Sequence, residues 1–87
     1  MHMTNLAWLG ALSLAVSGAA LADAAAGKAK AEAVCSECHE KGDWAGQDAA
    51  AIQAKIKAVV AGTTKHAKKL SLTDQEMADV AAYWAEQ

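Results

Sequence analysis

"EAVCSECHEKG", residues 32–42, is the stretch on which the fold turns. Cys35 and Cys38 are two residues apart and His39 follows at once. A disulfide, a zinc ion and a covalent haem all compete for such a motif. A Cys35–Cys38 disulfide would close a loop too small to constrain much of the chain. A thioredoxin-like redox pair belongs beside a βαβ pattern, and no strand signal is present. Zinc needs four ligands. Cys35, Cys38 and the adjacent His39 crowd one side of a tetrahedron, with His66 the remaining candidate. A haem uses every residue of the motif. The two thiols add to its vinyl groups as thioethers, and His39 ligates the iron as proximal ligand.

Upstream, residues 6–22 carry no charge and end in the small-x-small triplet Ala20-Leu21-Ala22. This resembles the apolar core and cleavage site of a secretory signal peptide. Residues 1–22 are therefore expected to be a leader and residues 23–87 a haem domain, exported as to a bacterial periplasm. The first five residues contain no Lys or Arg, so the alternative is an uncleaved anchor. Against that, the apolar run is short for a span and broken by Gly and Ser.

Beyond residue 22 the larger apolar side chains are few, and alanine supplies most of the apolar content. The chain has no Phe and no Pro. A domain this small usually needs a staple, a metal or a cofactor to fold stably. Net charge is −2, from eight Lys and ten acidic residues. The mixed charge and the lack of any Arg leave no nucleic-acid footprint.

Three helices are predicted and no strands, so the class is all-α. The first spans about residues 24–34, built of strong helix formers, and runs into Cys35. The second starts at the N-cap Asp48, places Ile52, Ile56, Val59 and Val60 on one side, and stops at Gly62. The third opens with a capping box, Thr73 to Glu76, and a Leu72–Met77 staple, and runs to about Glu86.

The helix leading into "CSECH" and the closing "LTDQEMADVAAYW", residues 72–84, resemble the small class I c-type cytochromes over nearly all of residues 23–87. The resemblance implies three main helices wrapped around one covalent haem c. It also implies first and last helices crossing beside that haem, with Tyr83 at the crossing and Gly27 or a nearby small residue permitting close approach. Most of that family supplies a methionine to the far side of the iron from the loop before the last helix. Here that loop, residues 62–71, has none and carries His66 instead. His66 is the expected distal ligand. Met77 is the alternative, although the staple already accounts for it, and an open iron is the third case. Two histidines predict a lower potential than His/Met ligation. Trp44 is a candidate for packing on the porphyrin or for donating its N–H to a propionate, and equally for filling the small core. Lys65, Lys68 and Lys69 form either a docking rim for an acidic partner or an ordinary solvated loop.

The expectation is an exported monohaem carrier of single electrons between redox proteins. It is not expected to be an enzyme, to bind nucleic acid or, once the leader is removed, to span a membrane. It is expected to be a monomer or at most a weak dimer. The alternative is a haem-based module that binds a gas or small ligand at a weak or absent sixth position.

Overall fold

The computed structural model describes residues 21–87, and the expected leader lies outside them apart from Leu21 and Ala22. Three helices follow in order: α1 (Ala24–Val34), α2 (Ala49–Ala61) and α3 (Asp74–Ala85). No strand occurs among the described residues, in line with the all-α expectation. None of their helices is long and apolar enough to cross a membrane.

Each helix starts where a side chain satisfies its free N–H groups. The Asp23 carboxylate accepts from Ala25 and Ala26 at 3.0 and 3.1 Å. Asp48 accepts from Ala51 at 2.8 Å. At α3 both halves of the capping box are present: the Glu76 N–H donates to Thr73 Oγ1 and the Thr73 N–H donates to Glu76 Oε1. Such caps contribute about 1 kcal/mol each. Helix α2 ends at Gly62, whose φ of 79° is left-handed backbone that costs a glycine nothing. Helix α3 stops one residue short of expectation, with Glu86 as its C-cap.

Both α1 and α2 pack on α3. The approach of α1 is closest at Gly27. A Cβ there would lie 1.9 Å from the Asp79 carbonyl oxygen and 2.9 Å from the Val80 nitrogen, so only glycine fits. Around this contact Ala31, Ile52, Val80, Ala81, Tyr83 and Trp84 form the buried cluster. Small residues thus buy proximity rather than bulk. Ile52 and Val80 are the large side chains in it that are fully buried, each stabilising by roughly 1.5–3 kcal/mol. The stripe on α2 is less covered than its period suggests: Ile56, Val59 and Val60 stay half-buried.

Two polar ties reinforce the α1–α3 contact. Lys30 Nζ lies 2.8 Å from Glu76 Oε2. The Asp79 carboxylate, only 7 % exposed, accepts from the Asp23 N–H and from Gln75 Nε2, both at 2.8 Å.

Candidate functional site

After Val34 the chain makes one tight turn. The Cys35 N–H donates to the Ala31 carbonyl at 2.7 Å, and the His39 N–H donates back to the Cys35 carbonyl at 2.9 Å. The turn sets Cys35 and His39 on the same wall of a cavity of about 740 Å3, its open mouth included. Val34 comes from α1, Ile52, Ile56 and Val59 from α2, and Val80 and Trp84 from α3; Leu70 and His66 come from the connection between α2 and α3. All three helices therefore meet around a hollow. Exposed Lys55 also lines it, as a long stem does when it lies along an apolar surface.

His39 and His66 come together across 27 residues of chain. Their ring centres are 6.2 Å apart and their planes 20° from parallel. Each ring has its Nδ1 engaged. His39 Nδ1 lies 3.2 Å from Asp43 Oδ2, and His66 Nδ1 meets the Lys68 carbonyl oxygen. A carbonyl oxygen and an ionised carboxylate can only accept, so both Nδ1 atoms carry the hydrogen. In a neutral ring the free lone pair is then on Nε2. This is the tautomer that metal-binding histidines adopt when a carbonyl or carboxylate orients them.

Asp43 is itself held in place. The Glu40 N–H donates to the same Oδ2 at 3.1 Å. That bond, and after it the hydrogen bond from His39, keep the Asp43 carboxyl below the usual carboxylate range. It therefore stays an acceptor throughout the neutral range. Trp44 packs against the other side of His39, ring centres 4.7 Å apart, and against Trp84 at 4.8 Å. Trp44 lines the cavity and also packs against the buried cluster.

Burial pushes the Cys35 thiol above its ordinary value, partly offset by a hydrogen bond from Trp84 and the charge of Lys68. Both cysteines are free thiols. Cys38 is exposed and does not line the cavity, although it lies in the same turn between two residues that do. Met77 is 5 % exposed within the helix packing, away from the cavity wall. Among the described residues no three His, Cys, Asp or Glu side chains gather as a metal-ion centre, as zinc would require.

A covalent haem with two histidine ligands would ask for two imidazoles at a set spacing, two thiols and an apolar enclosure. Two metal–imidazole bonds of about 2 Å, each ring centre about 1 Å behind its nitrogen, put the centres roughly 6 Å apart. The 6.2 Å between the ring centres of His39 and His66 matches that separation. Cys35 and the apolar walls fit the group as well, whereas Cys38, in the same turn, is exposed and off the cavity wall.

Two contributors escaped the sequence reading. Asp43, four residues after His39, was legible as an acid within reach of the imidazole. The Lys68 carbonyl left no signal, because any residue has one. Comparison with protein-family models, curated proteins and solved structures finds no match to this chain.

Proposed function

We propose that this chain is a one-electron carrier of the c-type cytochrome kind, with one haem attached through Cys35 and Cys38 and ligated by His39 and His66. The observation that carries the reading is the pair of imidazoles 6.2 Å apart, each fixed through Nδ1, beside Cys35 on an apolar cavity wall. When bound, the haem supplies an iron that gains and loses one electron.

The chain does the rest. Asp43 and the Lys68 carbonyl hold a proton on Nδ1 of each histidine and fix the ring orientation. Ile52, Ile56, Val59, Leu70 and Val80 keep water from the enclosed side. Lys65, Lys68 and Lys69 are exposed around His66 and favour an acidic redox partner by charge attraction. The small class I cytochrome architecture, with α1 and α3 crossing beside the haem, is part of the same proposal.

The test is export of the full chain in a host that attaches haem, followed by a haem stain of the denatured protein and EPR and visible spectra. Covalent stain, low-spin spectra without a methionine–iron band, and a high-spin shift in His66→Ala are the expected results. No retained stain, or a methionine band persisting in His66→Ala, refutes the assignment. One observation favours a second reading: His66 is exposed, on a connection without helix or strand. Rapid CO binding to the reduced wild-type protein would identify a ligand-binding module instead.

A further inference from the structure

Asp79 is a buried carboxylate that the proposed electron carrier does not use. It is 7 % exposed, and its partners are a backbone N–H and an amide, both neutral. Among the described residues the cations in ion pairs are Lys30, bound to Glu76, and His39, beside Asp43. None lies against Asp79. Buried carboxylates are ordinarily matched by a cation.

The donor on Asp79 Oδ1 is the backbone nitrogen of Asp23, 56 residues earlier. Asp23 follows the expected leader cleavage point, and around it Leu21, Ala22 and Asp23 are exposed and non-helical. Asp23 has extended backbone (φ −115°, ψ 102°). An endopeptidase can reach such a segment.

We propose that Asp79 is the receptor for the chain's own new N-terminus. Water, delivered by an export endopeptidase, splits the Ala22–Asp23 amide. Ala22 leaves as a carboxylate and the Asp23 nitrogen remains as an ammonium. The atom that donated one neutral hydrogen bond to Asp79 then presents a full positive charge to it. The pairing solves a second problem. An ammonium at the N-cap of α1 faces the positive end of that helix, and Asp79, with the Asp23 carboxylate, offsets both. The other charges on these stretches of α1 and α3 are Lys28, Asp74 and the Lys30–Glu76 pair. The Gln75 amide, which also donates to the Leu21 carbonyl at 3.0 Å, keeps its bond to Asp79 after cleavage.

The inference rests on removal of residues 1–22 and not on the haem, so it stands or falls separately from the proposed function. The exported full-chain protein is purified and its first residue read by mass spectrometry. Its α-amine is then pulse-labelled at neutral pH with an acetyl N-hydroxysuccinimide ester. The comparison is a variant with one serine inserted between Ala22 and Asp23. That variant keeps the N–H bond to Asp79 but moves the amine outward. The expected results are Asp23 as first residue and labelling about tenfold slower than in the insertion variant, the free-amine fraction falling tenfold per unit rise in amine pKa. Asp79→Asn should label as fast as the insertion variant. If Asp79→Asn does not accumulate, the insertion variant alone decides. A different first residue, or equal labelling of wild type and insertion variant, overturns the proposal.

Discussion

Replacing Gly27 by alanine tests the α1–α3 contact directly. The new Cβ would lie 1.9 Å from the Asp79 carbonyl oxygen, 2.4 Å from its carbon and 2.9 Å from the Val80 nitrogen. All three are backbone atoms of α3, so no side chain can swing aside. Restoring even a 3.0 Å contact requires the helices to part by about 1.1 Å, and gaps of about that size forfeit a quarter to a half of the dispersion attraction between facing atoms. Overpacking of this kind costs about 1–3 kcal/mol, here at the upper end. Alanine returns up to about 1 kcal/mol through helix propensity. The net expectation is a loss of about 2 kcal/mol. With a urea slope near 1 kcal/mol/M for so small a protein, the midpoint falls by about 2 M. The assay is urea unfolding of the exported protein followed by circular dichroism. Ala26→Gly, at an exposed position on the same helix, serves as the control and should cost only its propensity, about 1 kcal/mol. A Gly27→Ala protein as stable as wild type would refute the close approach and the core arrangement drawn from it.

Two further outcomes are expected. Asp43→Asn removes the carboxylate that holds His39 Nδ1–H. A less basic ligand stabilises the oxidised metal less, so the midpoint potential of the proposed haem should rise by roughly 30–60 mV, a three- to tenfold change in the one-electron equilibrium; an unchanged potential would remove Asp43 from the site. The Glu76 carboxyl is held below its ordinary 4.5, first by the hydrogen bond from Lys30 and then by the Thr73 N–H. A depressed folded value means stability that is present above about pH 4.5 and lost as pH falls through the lower folded value. Melting temperature against pH should therefore drop less steeply over that acid window in Glu76→Gln than in wild type, and parallel curves would contradict the pairing.

The helix limits were legible because capping is local. Asp48, Gly62 and the Thr73–Glu76 box each act within four residues of themselves, and each does in the structure what its spacing implied. The small count of large buried side chains was legible from the composition, and Ile52 and Val80 are the large ones fully buried. The stripe on α2 showed which side of the helix is apolar, but not that Ile56 and Val59 would face a hollow rather than another helix. That depends on how far apart three helices are held. The bond from Asp23 to Asp79 and the seat for α3 at Gly27 join residues more than 50 positions apart. Nothing in either neighbourhood announces the other; the close approach at Gly27 was expected only through the resemblance to small class I cytochromes. His66 lay in between: its place in the loop pointed to the site, while its fixed tautomer came from a main-chain oxygen that no sequence pattern records.

If the proposed haem fills the hollow, there is a consequence for the life of the polypeptide before it is loaded. Its wall draws on every helix and on the connection that carries His66, so one occupant touches all the parts that must stay together. Without an occupant, half-buried Val34, Trp44, Ile56 and Val59 of that wall keep part of their apolar surface in water, and the large side chains that are fully buried are Ile52 and Val80. Occupancy and survival are thereby linked by mass action. An unfilled chain opens more often and is exposed to proteases for a larger share of its time, whereas a filled one is spared. On that proposal, the geometry that would hold the haem also clears away the chains that failed to receive it.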